Sequence, residues 1–155
     1  MKRAHTIIMT VFVKPEEVLQ DKDIHSKIIN CIKGMLTIDW TKESEILTVT
    51  TVEGFDNRKI QVHELSIHKE SYTNQFIDNL MKHLTLEQKQ FLITDKHNRL
   101  DENLEFFIRL NKTKMLEGQY ELTTSGDCFH IKMNIAAFPK KIDTALVVID
   151  DMLKQ

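Results

Sequence analysis

The chain has 155 residues, 41% of them hydrophobic and 28% charged, with a formal net charge of −2. That balance excludes a disordered chain. Four Gly and two Pro exclude collagen-like and loop-dominated architectures, and the near-zero charge lacks the excess of a strongly cationic nucleic-acid binder.

The length suits a single domain, 1–155, and no repeat, low-complexity tract or Ser/Gly linker divides it. Residues 4–13 predict a strand that is apolar on both faces. Ile7, Met9, Val11 and Val13 lie on one side, Ile8 and Phe12 on the other, a pattern that suits a central strand covered twice. Lys2-Arg3 ahead of it mimic a signal peptide, but Thr10 breaks the run, Lys14-Pro15-Glu16-Glu17 ends it, and no small-x-small site follows. No stretch approaches the ~20 apolar residues of a membrane span. Cys31 and Cys128, the only cysteines, show neither disulfide-framework nor zinc spacing. The expectation is a cytoplasmic protein with reduced thiols.

Pro15 marks a turn or helix start, and Ile24, Ile28, Ile32 and Met35 predict a helix over 23–35 that stops near Gly34. Residues 45–53 and 58–69 predict a hairpin about the turn Gly54-Phe55-Asp56-Asn57. In its second strand the apolar parity changes from Ile60 and Val62 to Leu65 and Ile67, which predicts a bulge near His63-Glu64. A helix over 70–84 carries Tyr72, Phe76, Leu80 and Leu84, and Thr85-Leu86-Glu87-Gln88 is a capping box opening a short helix to about Ile93.

Residues 103–110 and 127–138 alternate cleanly, turning Leu104, Phe106, Ile108 and Leu110, then Phe129, Ile131, Met133, Ile135 and Ala137, inward. A helical turn over 111–118 and a short strand over 119–123 separate them. After Pro139, Ile142, Ala145, Leu146, Ile149 and Leu153 form a helical stripe. Antiparallel runs with interspersed helices specify α+β: a mostly antiparallel sheet with helices packed on it.

Catalytic signatures are absent: no P-loop, G-x-G-x-x-G, G-x-S-x-G or H-E-x-x-H occurs. The seven histidines have no ligand spacing, so neither a metal nor a cofactor is expected. The informative residues point outward from the two alternating strands: Glu105, Phe107 and Arg109 on one, His130, Lys132 and Asn134 on the other. As neighbouring strands these would set an aromatic ring beside Arg, Lys and His, with Lys112 and Lys114 extending the cationic segment. Aromatic stacking plus cations is how sheets hold single-stranded RNA.

The segment Asp101-Glu102-Asn103-Leu104-Glu105-Phe106-Phe107-Ile108-Arg109-Leu110-Asn111-Lys112, with Gly118 and His130-Ile131-Lys132-Met133 after it, resembles an archaeal family of similar length described as RNA-binding or exosome-associated proteins. The resemblance extends to Phe12-Val13, to Glu53-Gly54-x-x-Asn57 and to Ala137-Phe138-Pro139. It implies a fold like that of the large-subunit ribosomal protein that contacts 5S ribosomal RNA, and an RNA-related role. The departures fall on polar positions: Asn111-Lys112-Thr113 stands where the family favours Asp-Lys-Gln, and Asp56-Asn57-Arg58 where it favours Gly-Asn-Pro.

The resulting expectation is a non-enzymatic RNA-binding protein, accessory to RNA processing or the ribosome. Its partner is RNA, single-stranded or structured, or an RNA-processing assembly, with no membrane involved. Its site residues are Phe107, Arg109, Lys112, Lys114 and Lys132, joined by Arg58 and Lys59. The alternative, which the net charge favours, is a protein-interaction module or adaptor without nucleic-acid contact, self-association as a homodimer included. A small-molecule enzyme ranks third.

Overall fold

The computed structural model describes residues 1–155. Its strands are β1 (Ala4–Val13), β2 (Leu47–Glu53), β3 (Lys59–Ile67), β4 (Glu105–Asn111) and β5 (Cys128–Ile135). Its helices are α1 (Pro15–Gln20), α2 (Ile24–Lys33), α3 (Glu70–His83), α4 (Leu86–Arg99), α5 (Lys112–Leu116) and α6 (Ile142–Leu153). The strands form one antiparallel sheet in the order β2-β3-β1-β5-β4, with β1 in the middle. No helix is long and apolar enough to cross a membrane.

Residues opposite one another in antiparallel strands share a face, so the sheet can be read row by row. The inward rows run Ile67–Ile7–Met133–Phe106 and Leu65–Met9–Ile131–Ile108, and each of these side chains is at most 1% exposed. Onto them pack Phe76, Ile77 and Leu80 of α3, Ala145, Ile149 and Met152 of α6, Ile28 and Ile32 of α2, and Leu92 of α4, all at 0%. These belong to a single cluster of 31 buried residues. At ~1.5–3 kcal/mol per buried large apolar side chain, this sheet-on-helix contact supplies the main drive to fold.

The other face of the sheet has no such layer. The expectation that β1 is covered twice fails there: Ile8 is half-buried and Phe12 is 45% exposed, because the core helices all lie on one side. No bulge interrupts β3 either; its register with β1 is continuous from Ile7↔Ile67 to Val13↔Gln61. The parity change has another cause. His63 occupies an inward position at 0% exposure, in line with Leu65 and Ile67, while Ile60 and Val62 lie on the opposite face, where Val62 is nonetheless only 8% exposed. The one register shift involving β1 lies between Ala4 and Thr6, against β5.

Two further boundaries differ. The helix expected to stop near Ile93 runs on to Arg99, where polar pairs replace apolar spacing: Arg99 Nε donates to Asp95 at 2.7 Å and Lys96 Nζ to Asp150 of α6 at 2.6 Å. The strand expected over 119–123 is reduced to a single bridge, Leu110↔Leu122.

Candidate nucleic-acid interface

β4 and β5 are neighbours, and their register settles which outward side chains meet. Phe107 lies opposite Lys132, Arg109 opposite His130, and Glu105 opposite Asn134. The Phe107 and His130 rings sit diagonally, with centroids 5.6 Å apart and planes tilted by 41°. Neither Arg109 nor Lys132 has a carboxylate partner, although Glu64 and Glu105 share the face. The imidazole of His130 registers its surroundings: burial holds its pKa below the ordinary histidine value, and the charges of Arg109 and Lys132 lower it further. An anion here would relieve that repulsion.

The free edge of β4 is closed at both ends. At one end Leu100 bridges to Phe106 and the Asp101 amide donates to the Glu105 carbonyl. At the other, Leu122 bridges to Leu110 and the Thr123 amide donates to the Arg109 carbonyl. Between these caps, Arg99 Nη1 reaches the Phe107 carbonyl at 3.3 Å, and Arg109 Nη1 donates to the Thr124 carbonyl at 3.1 Å. The result is a notch of about 440 Å³. α4 contributes Asp95, Asn98 and Arg99 to its wall, the strap opposite contributes Thr123 and Thr124, and Phe107, Arg109 and His130 come from the sheet.

Of the residues expected from the sequence, Phe107, Arg109 and Lys132 come together here. Lys114 is exposed on α5, beyond the end of β4. Lys112 is the clear correction: it is only 5% exposed, and its ammonium donates to the Phe12 carbonyl at 2.6 Å, to Glu17 at 3.0 Å and to Asp127 at 2.6 Å. It ties α5 to β1, α1 and the loop before β5, so it has no donor to spare for phosphate. Arg58 and Lys59 lie at the β2–β3 turn, separated from β4 by both β1 and β5, and Arg58 is held by Glu16.

Sequence spacing placed His130 on this outward face without counting it among the site residues, and it missed all of the notch wall, since Asp95, Asn98 and Arg99 lie on a helical stretch without apolar periodicity. It also missed the pairing of His25 Nδ1 with buried His63 Nε2 at 3.4 Å. These two histidines belong to different elements, α2 and β3, and no third metal-binding side chain joins them.

Comparison with known proteins then bears on the role of this face. A family model described as RNA binding matches residues 6–135. A Pyrococcus abyssi protein named as an RNA-binding protein is 22% identical over 152 residues, covering 98% of this chain and 95% of that one. Among solved structures, an Archaeoglobus fulgidus protein superposes with a TM-score of 0.76 at 18% identity, covering 97% of this chain and 98% of that chain. A DUF54 protein from Methanothermobacter thermautotrophicus gives 0.73 at 23% identity, again with 97% and 98% coverage. Both likenesses concern the fold.

Proposed function

The chain belongs to the RNA-binding family, and on that premise we propose that it binds RNA directly, without catalysing a reaction, through the outward face of β4 and β5. The observation that carries this is the grouping of Phe107, Arg109, His130 and Lys132 on an uncovered face, with cations that no carboxylate neutralises. Aromatic rings take base faces and free cations take phosphates. Burial pushes the Cys31 thiol of α2 up to about 11 and raises that of Cys128 as well, which supports a protein that works without a thiolate nucleophile.

We place the protein in the cytoplasm as an accessory of RNA processing or of the ribosome. The sequence resemblance supports this setting, along with kinship of fold to the 5S-RNA-contacting ribosomal protein and association with an exosome-like assembly. A second reading, docking to a partner protein, is favoured by one feature: the β2–β3 hairpin projects with Phe55 at its turn 93% exposed.

Fluorescence anisotropy with a mixed-sequence RNA, starting at about 50 mM salt, tests the RNA reading. Arg109→Ala with Lys132→Ala should flatten the log–log salt dependence by roughly 1.4 if both groups contact phosphate on a single strand. Absence of binding at low salt would overturn the reading and move protein docking ahead.

A further inference from the structure

We infer that the notch in the free edge of β4 receives one unstacked base, so that the interface selects unpaired over duplex RNA. This rests on the RNA-binding reading above and goes further by naming the class of RNA.

The notch has a floor, two walls and free polar groups, and each suits a base. Phe107 supplies the aromatic face, and His130, tilted beside it at 5.6 Å, supplies a second ring. The walls stand on either side of that floor: the last turn of α4, and the strap at Thr123 and Thr124 pinned to β4 by the hydrogen bonds of its edge. The α4 wall is braced internally. Arg99 and Asn98 both donate to Asp95, at 2.7 and 2.8 Å, so the charge of Arg99 is already matched. Asn98 Oδ1, the second terminal nitrogen of Arg109 and the Thr124 hydroxyl have no partner. They are one acceptor, one donor and one group able to be either, which is what the hydrogen-bonding edge of a base requires.

At about 440 Å³ the notch falls within the ~300–1,000 Å³ of ordinary small-molecule sites. Lys132, directly opposite Phe107, stands beside the floor, where the phosphate of a base stacked on that ring would lie. A base inside a duplex has both faces stacked and its edge paired, so it presents nothing to a ring sunk between two walls. Only backbone and 2′-hydroxyls would reach the rim.

The experiment compares three RNAs of equal phosphate count at one salt concentration: a single strand, a duplex, and a single strand of abasic nucleotides. The single strand is expected to bind tightest, with the duplex and the abasic strand weaker and alike. Phe107→Leu, which keeps an apolar side chain but removes the ring, should weaken single-strand binding by roughly 5- to 150-fold and leave duplex binding unchanged. Asn98→Met, at an exposed position on α4, should narrow the same difference by filling the notch, with a melt confirming that each variant is folded. Equal binding of all three RNAs, or a folded Phe107→Leu that loses as much affinity for the duplex as for the single strand, or loses none for either, would overturn the notch as a base site while the RNA reading stands. Failure of every RNA to bind at low salt would overturn the RNA reading itself.

Discussion

The β4–β5 end of the sheet and the β2–β3 end are built from similar strand-forming residues, yet they differ in what stands behind them. Behind β4 and β5, Phe106, Ile108, Ile131 and Met133 are fully buried under α6 and its neighbours, so the outward residues project from a braced surface. Six of the seven residues of β2 are exposed, Val49 and Val52 among them, and no core helix lies against this strand. The two ends also treat their edges differently. That of β4 is capped at both ends and notched in the middle, whereas β2 leaves its backbone edge free. Arg58 and Lys59 at the far turn match Arg109 and Lys132 in residue type, but only the latter pair stands on a packed support beside an aromatic ring. On the proposed RNA reading, the cations supply attraction to phosphate and the fixed ring beside them supplies a place for a base.

Stability measurements give the largest expected separation between the two ends. Phe106→Ala should cost ~3–5 kcal/mol, because it empties a fully buried site. Val52→Ala, at 44% exposure, should stay within about 0.5 kcal/mol. Comparable losses in urea melts would show that the arm is packed after all, and the contrast would fall.

Lys112 lies near the boundary between the two ends and sharpens the distinction between structure and binding. Its removal strands Glu17 and the Phe12 carbonyl, which its ammonium reaches from a 5%-exposed position. Breaking a buried pair costs ~3–5 kcal/mol, and we expect the lower figure for Lys112→Ala because Asp127 is half exposed and rehydrates. RNA affinity of the folded variant should match wild type. A flattened salt dependence instead would return Lys112 to the site.

How much of this was legible in the sequence follows from which forces leave a periodic trace. Burial does, so the alternation of Phe106, Ile108 and Leu110 and of Phe129, Ile131 and Met133 identified the inward rows. By subtraction it also identified Phe107, Arg109 and Lys132. Polar burial leaves no such trace. His63 in a core row mimics the parity change of a bulge, and Lys112 mimics a ligand-facing charge, because a lysine satisfied by a carbonyl and two carboxylates from distant segments reads like any surface lysine. The notch was illegible for a related reason: Asn98, Arg99 and Thr124 meet only through the tertiary path that brings the end of α4 and the 123–124 strap to one edge. The resemblance to RNA-binding proteins indicated the role but not this geometry.

Two aromatic rings, half-buried Phe107 and exposed Phe55, compare the ends at the level of binding. Phe107→Ala should weaken single-strand binding by ~1–3 kcal/mol without altering its salt dependence, since stacking releases no counterions. Phe55→Ala should leave the affinity unchanged, because the β2–β3 turn lies across the sheet from the notch and its neighbour Arg58 is engaged by Glu16. Equal losses in anisotropy titrations would mean that RNA spans both ends.

The smallest expected effect concerns two histidines, one at each end, both with pKa values below the ordinary 6.5. For His63 burial is the first cause, followed by the neighbouring charges of His25 and Lys112; for His130 it is burial, then Arg109 and Lys132. A histidine whose folded pKa is lowered binds fewer protons in the native chain than in the unfolded one, across the interval from its folded value up to 6.5. In that interval stability therefore rises with pH, and it is lost as pH falls through 6.5 toward the folded value. His63→Leu should remove part of this loss. RNA separates the two residues. Phosphates drawn to Arg109 and Lys132 favour the charged imidazole of His130 and should move its midpoint upward, whereas His63 faces inward beneath α2 and should not respond. Proton NMR of the two imidazoles, with and without RNA, measures both midpoints in one titration. A shift of His63 equal to that of His130 would place the RNA elsewhere or couple the two ends. A shift confined to His130 would locate the phosphates at the β4–β5 end, at the notch whose floor His130 shares with Phe107.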